Sequence, residues 1–507
     1  MRGKLKKFNI SETFLSQKGY AIIKEGNEEC VKYLKELLTV TPKTNPNLSA
    51  DDINSFSVYR ENSKKIYIPR CIGFEIFGIP KYDTMHKGID CPNLDFTGNL
   101  RKEQMEPVKC FIEAANDPLR RGGIISVGCG FGKTILSLYI SCQIKKKTLV
   151  LCHKEFLMNQ WKERISEFIP NARVGLIKAK EVDYIDKDIV IASIQSISMK
   201  EYDPKIFTEF GVVLSDECHH NSAEIFSRAL PKLNANIMLG LSATLDRKDG
   251  LRKVFEWHLG KPVFELKTRS ENNLIVNILT VPNDDPCEEY GMELKMWNGK
   301  KNCAAMINAI CAWEERTNLI MDTLENTLKE EPGRRVLILS DRRGHLKTFE
   351  NEIKRRNLGS TGYYVGGMKE KALKESETKD IILGTYPMAS EGMDIPVLNT
   401  LILASPISSI EQSIGRIQRQ KVHERKYTPL VIDVCDNFSL YSNQSRKRIK
   451  FYKKNGYTIL GEEKDITGNT KNSDNDSDSD TNTENPTAAK SDPKSQFKFI
   501  DSDDEAV

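Results

Sequence analysis

Nowhere among the 507 residues is there an unbroken apolar stretch of about 18, the length a helix needs to cross a bilayer. A membrane span is therefore not expected. Met1 to Ile10 is basic but has no apolar core, so a secretory leader is not expected either. None of the twelve cysteines stands in a C-x-x-C pair, which argues against a zinc ribbon or a thioredoxin-like redox site. The thiols read instead as small buried hydrophobes, kept reduced inside a cell. A large excess of one charge is also missing: 75 Lys+Arg face 71 Asp+Glu, for a net charge of +4.

That near balance is uneven along the chain. From Ile466 to Val507 there are ten acids and four lysines, a net of −6, which leaves +10 on the preceding 465 residues. A basic body with an acidic tail suits a nucleic-acid partner. The body is 39% hydrophobic and 29% charged over the whole sequence, the composition of a soluble, folded chain. Its length predicts two or three domains.

Four zones follow from the patterning. Residues 1–96 form an N-terminal accessory domain of α+β type, a candidate nucleic-acid-binding region. It includes a strand-like run at Lys65–Arg70, followed by Gly73–Gly78. Residues 97–268 alternate short apolar β-branched runs with helical patterns. The runs are Ile124–Val127, Thr148–Cys152, Asp188–Ser193, Val212–Ser215 and Ile237–Ser242. The alternation returns in residues 269–465, at Val336–Ser340, Tyr363–Val365, Ile381–Thr385, Leu401–Ala404 and Leu430–Val434. Strands alternating with helices predict parallel sheets covered on both faces. A turn-rich stretch, Val281 to Pro286, lies near the junction. Residues 466–507 are rich in Asn, Ser, Asp and Thr and are expected to stay disordered. Within them Gln496–Ile500 is an apolar island that could dock a protein, and Ser477, Ser479 and Ser502 sit beside acids.

The strongest local signal is Gly128-Cys129-Gly130-Phe131-Gly132-Lys133-Thr134, placed after a predicted strand and before a predicted helix. Glycines let the backbone wrap a phosphate and aim its N–H groups inward, and the helix N-terminus adds partial positive charge. Lys133 would reach the β- and γ-phosphates of ATP, and the Thr134 hydroxyl would ligate Mg²⁺. The strict phosphate-loop pattern wants glycine at 127, where this chain has Val127. A second signal is the apolar strand ending in Asp216-Glu217-Cys218-His219. Asp216 would hold the metal and Glu217 would polarise the attacking water. A zinc site from Cys218, His219 and His220 is disfavoured, because three adjacent residues at a strand end cannot all face one ion.

Taken in order, GFGKT, DECH, Ser242-Ala243-Thr244 and Gln412-Ser413-Ile414-Gly415-Arg416-Ile417-Gln418-Arg419 resemble the motif set of superfamily 2 helicases over residues 97–440. The resemblance implies two tandem RecA-like domains. It also implies an ATP-dependent motor on DNA or RNA, with Arg416 and Arg419 as arginine fingers and Gln412 ordering the γ-phosphate or water. Leu100-Arg101-Lys102-Glu103-Gln104 resembles the segment in which a glutamine, here Gln104, reads adenine. Thr385 and Glu391-Gly392-Met393-Asp394 resemble a later motif, where Thr385 would touch a backbone phosphate and Asp394 the ATP ribose. Leu149–His153 with Gln160-Trp161, and Ala192–Ser196, resemble strand-contacting loops, which would bind the backbone in a salt-sensitive way. Trp161 itself reads better as core packing than as a base-stacking platform.

Gly240 to Asp249 further resembles the xeroderma pigmentosum group B branch, with Lys248 in place of the middle acid of an R-E-D triplet. The short N-terminal region and Arg316–Ile320 resemble the transcript-release helicases of poxviruses and other large DNA viruses. That resemblance implies a role in transcription, contact with transcription machinery, and a location in a viral factory or virion. A duplex translocase that does not unwind, and an ATP-dependent clamp, remain alternatives at this stage. A complete set of Lys133, Glu217, Arg416 and Arg419 speaks against the clamp, which has no need of a water activator.

Overall fold

The computed structural model describes residues 5–42 and 55–461, apart from 129, 219–222, 244, 246–249, 267–272, 282–289, 394 and 421. The acidic tail lies outside them. The chain divides into two compact units, one over Met1–Lys267 and one that begins at Thr268.

In the first unit an eight-stranded sheet runs in the order Glu181–Asp183, Val174–Lys178, Ile189–Ser193, Thr148–Cys152, Val212–Ser215, Ile237–Ser242, Gly122–Val127, Pro262–Leu266. Every pairing is parallel except that of Glu181–Asp183, which turns back on Val174–Lys178 as a hairpin. Four of the central strands are buried along their whole length, as expected where helices cover both faces. Successive side chains feed opposite faces. Thus Ile125, Val150, Leu214 and Leu239 join one apolar cluster, while Ile124, Leu149, Leu151, Val213 and Met238 join the other.

The second unit repeats this plan with seven parallel strands, in the order Thr361–Tyr364, Ile381–Gly384, Val336–Leu339, Thr400–Leu403, Leu430–Cys435, Ile275–Thr280, Thr458–Leu460. Leu337, Leu339, Ile382, Leu401 and Val431 fill one face, and Val336, Ile338, Ile381, Ile402 and Ile432 the other. These are two RecA-like α/β sheets, and all ten sequence-predicted runs overlap their strands, five of them overrunning an end by one residue.

The N-terminal residues form a five-stranded sheet, in the order Arg60–Glu61, Lys65–Ile68, Gly19–Ile23, Thr13–Ser16, Tyr82–Asp83. Its pairings are antiparallel except that of Tyr82–Asp83. Helices Glu28–Leu38 and Arg70–Phe77 accompany it. Residues 73–77 are thus helical rather than a continuation of the strand at Lys65–Ile68. This sheet does not close its own core: Leu251, Val254 and Trp257, from the region of helix Arg252–Leu259, complete its apolar cluster.

Arg70 fixes the attachment. Its guanidinium is fully buried and donates to the carbonyls of Ala235 (2.6 Å), Asn236 (2.9 Å) and Arg121 (2.7 Å). Gln17 and Asn234 add a reciprocal link, since Gln17 Nε2 donates to the Phe207 carbonyl and Asn234 Nδ2 to that of Gln17. Among the described residues no helix is long and apolar enough to cross a membrane.

Candidate functional site

In the first unit the chemistry-bearing loops all leave the carboxyl ends of parallel strands, the edge at which open α/β sheets bind ligands. The glycine-rich loop follows Gly122–Val127, the acidic segment follows Val212–Ser215, and strand Ile237–Ser242 lies between the two. Ser242 ends that middle strand level with Ser126, and Gly240 is level with Ser215.

The glycine-rich loop runs into helix Lys133–Ile144. Gly130 and Gly132 carry φ of 79° and 87°, left-handed values that favour glycine and turn the chain sharply into the helix. Arg101 and Gln104 hold the loop from outside. Gln104 is buried, and its Nε2 donates to the Phe131 carbonyl at 2.8 Å while its Oε1 accepts from Arg101 N at 2.9 Å. Arg101 donates to the carbonyls of Gly130 and Phe131, and its guanidinium sits 5.9 Å from the centre of the Phe131 ring. Gln104, expected to face adenine, thus engages the glycine-rich loop through its Nε2 and the Arg101 backbone through its Oε1.

Lys133 Nζ pairs with Glu217 Oε1 at 3.2 Å, and both side chains are largely sheltered from solvent. Glu217 itself has φ of 42°, a left-handed conformation that a non-glycine residue adopts at some cost. That kink lets the Glu217 N–H fold back onto Asp216 Oδ1 at 2.9 Å. The other Asp216 oxygen, Oδ2, accepts from Trp161 Nε1 at 2.8 Å. Main-chain bonds anchor the segment on both sides, from Asp216 N to the Leu151 carbonyl and from Cys218 N to that of Leu241. Burial, and then the Glu217 carboxylate, push the Asp216 carboxyl up to about 6, against the pull of the Trp161 N–H and of Lys133. Sequence reading identified Trp161 as core. It is buried in the core, but its indole N–H also serves the acid, and no local pattern connects residues so far apart.

The donors here suit Mg²⁺. A buried carboxylate and a threonine hydroxyl are hard oxygen ligands, and two protein ligands beside substrate phosphates are usual for that ion. A cation would also relieve the crowding of the Asp216 and Glu217 carboxylates.

The two loops expected to contact a strand leave adjacent strands, Thr148–Cys152 and Ile189–Ser193, and are joined by Gln195 Nε2 donating to the His153 carbonyl at 2.7 Å. In the second unit Gln412 lies on the short helix Glu411–Ile414. Arg416 is buried and donates to the Met393 carbonyl at 2.8 Å, which ties the glutamine–arginine segment to the segment that ends before 394. Arg419 is half-buried, and it and Arg416 both lie close enough to the Tyr364 hydroxyl to act on it electrostatically. Thr385 caps helix Tyr386–Gly392 and receives the N–H groups of Met388 and Ala389 on its carbonyl. Arg316 is engaged otherwise: it forms a buried ion pair with Asp436 at 2.8 Å and donates to the Ala404 carbonyl. Cys129, His219, His220, Thr244, the Arg247-Lys248-Asp249 triplet and Asp394 lie outside the described residues.

Comparison with known proteins bears on the family of the chain. Residues 97–247 match the family described as type III restriction enzyme, res subunit. The chain is 34% identical over 462 residues to "Putative ATP-dependent RNA helicase L396" of Acanthamoeba polyphaga mimivirus, covering 89% of this chain and 87% of that one. It is 28% identical to "Probable helicase D10" of Escherichia phage T5, covering 75% and 81% of the two chains. With "Putative ATP-dependent RNA helicase QP509L" of African swine fever virus it shares 25% identity over 85% and 88%. The chain belongs to the superfamily 2 helicases, in the group carried by large DNA viruses, and it is an ATP-dependent enzyme that acts on nucleic acid.

Proposed function

We propose that the first unit binds ATP on the loop Gly128–Thr134 and that hydrolysis drives movement along an RNA or DNA strand during transcription, ending in transcript release. The observation that carries this reading is the Lys133–Glu217 ion pair beside buried Asp216, at the carboxyl edge of a parallel sheet. Bound nucleotide would take Lys133 onto its phosphates and so release Glu217 to orient and deprotonate water. Thr134 and Asp216 would hold Mg²⁺, whose charge would stabilise the phosphate oxygens.

Gln104 keeps the loop shaped by bonding Phe131, and its remaining amide hydrogen is the one assigned to adenine. Asp394 is assigned to the ribose. We assign to Arg416 and Arg419, with Gln412, the positive charge and ordering that a γ-phosphate needs as it leaves. Arg416 also braces the Met393 segment, so nucleotide contact and Asp394 would move together. The loops at His153 and Gln195, with Thr385, are assigned to backbone phosphates. The RNA track rests on the names of the mimivirus and African swine fever virus relatives.

The test is ATP hydrolysis by the purified chain with single-stranded RNA, single-stranded DNA or duplex DNA, followed by addition to stalled transcription complexes. Stimulation by RNA together with ATP-dependent release of the transcript supports the reading. Stimulation by duplex alone, with no release, would assign a translocase instead.

A further inference from the structure

Trp297 is 98% exposed, an unusual place for the side chain with the largest apolar surface. It is not on a loose loop. Met296 N donates to the Lys300 carbonyl at 2.7 Å, and Gly299 N to that of Met296 at 2.9 Å. Gly299 has φ of 77°, and Lys295 and Lys301 form an antiparallel bridge. This is a three-residue hairpin turn of Trp297, Asn298 and Gly299, closed by a left-handed glycine. Asn298 Oδ1 stiffens it further by accepting from Lys300 N at 3.1 Å.

The foot of the hairpin is tied to the second unit. Asn302 N donates to the Leu294 carbonyl at 2.8 Å. Glu293 pairs with Lys301 at 2.8 Å and accepts from Ser439 Oγ at 2.7 Å. Just before the hairpin, Tyr290 stacks on Trp313 and donates to Asp436. A rigid support thus presents an indole to solvent. Around it Lys295, Lys300 and Lys301 are exposed, and Glu293, the one acid among residues 290–301, is paired with Lys301.

From this juxtaposition we infer that the Trp297 hairpin is a stacking platform for an unpaired nucleobase, with Lys295 and Lys300 meeting the adjoining phosphates. An indole face accepts any base, and lysines complement the backbone, so the platform would be indifferent to sequence and sensitive to salt. A duplex offers no free base face except at its ends. The exposed Met292 and Met296 beside Trp297 would also suit a protein surface, but across residues 290–301 three lysines face one acid, and that excess favours phosphate. The inference rests on the helicase reading and adds to it the point at which single strand is distinguished from duplex.

The experiment is binding of a fluorescein-labelled oligo(U) or oligo(dT), and of a blunt duplex, to the wild-type chain and to Trp297→Ala and Trp297→Phe. Circular dichroism would confirm that each variant is folded. Trp297→Ala should weaken single-strand binding about tenfold, Trp297→Phe should stay within about threefold, and duplex binding should not change. Lys300→Ala should lower the salt dependence of single-strand binding. Unchanged single-strand affinity in Trp297→Ala overturns the platform and leaves the tip as a surface for protein. Equal losses on single strand and duplex overturn it as well. A wild-type chain that binds neither would overturn the helicase reading and the platform with it.

Discussion

The indole N–H of Trp161 donates to Oδ2 of Asp216 across 2.8 Å, and both groups are buried. A hydrogen bond to a buried carboxylate fixes which lone pairs remain for other partners. Partners of this kind behind a metal ligand commonly change metal affinity by about 10–100-fold when removed. Trp161→Phe keeps an aromatic ring and removes the donor. It should raise the Mg²⁺ concentration needed for half-maximal ATPase by about tenfold. A magnesium titration at saturating ATP reads this, and an unchanged titration would mean that Trp161 only packs.

Lys133 and Glu217 neutralise each other at 3.2 Å, so their variants should differ. Glu217→Gln should keep ATP affinity and lose about 100-fold or more in turnover, because the proposed water activator is gone. Lys133→Ala should lose both affinity and turnover. Nucleotide binding by a fluorescent ATP analogue, measured beside phosphate release, separates the two. Substantial turnover in both variants would sink the assigned chemistry.

Arg70 satisfies three carbonyls that have left water. Arg70→Met preserves length but leaves those acceptors buried, at about 1–3 kcal/mol for each unmet group. The first unit should lose on the order of 3 kcal/mol, and limited proteolysis should cut earliest between the N-terminal sheet and the glycine-rich strand. Urea unfolding of the isolated variant measures the loss directly.

Among the described residues each unit buries one histidine. Burial first, then Arg60 and Arg70, push His258 down to about 3, and burial with Arg316 does the same to His345. In the unfolded chain each would titrate near its ordinary value of about 6.5. Below that pH the unfolded state takes up a proton that the folded state refuses. The stabilising contribution is therefore whole above about pH 6.5 and falls by about 1.4 kcal/mol per histidine for each pH unit, down to about 3. His258→Leu should flatten the acid slope of the first unit and His345→Leu that of the second. Unfolding curves at pH 7 and pH 5 distinguish them.

How much was legible depended on burial. The strands Thr148–Cys152, Val212–Ser215 and Ile237–Ser242 are buried throughout, and unbroken apolar runs announced them to the residue. Val174–Lys178 and Pro262–Leu266 near the sheet edges, and Thr458–Leu460 in the second unit, mix exposed or half-exposed positions with polar residues, and no comparable run marks them. The glycine-rich loop and the acidic strand end were readable because their chemistry is contiguous in sequence. The bond of Trp161 to Asp216, the hold of Gln104 on Phe131, and the burial of Arg416 against Met393 join residues 55, 27 and 23 positions apart. Only folding brings such partners together. Arg316 illustrates the same point, since a segment noticed for its resemblance to transcript-release helicases contributes a buried ion pair with Asp436.

The attachment of Arg70 also sets an order in time. Synthesis delivers the N-terminal strands first, yet the carbonyls that receive this guanidinium belong to Arg121, Ala235 and Asn236, and the apolar cluster is completed only by Leu251, Val254 and Trp257. Until more than 160 further residues have left the ribosome after Arg70, the nascent segment holds a charge and an open apolar face with no internal partner. The N-terminal sheet is made first and finished last, so its apolar face stays open until residue 257 has emerged.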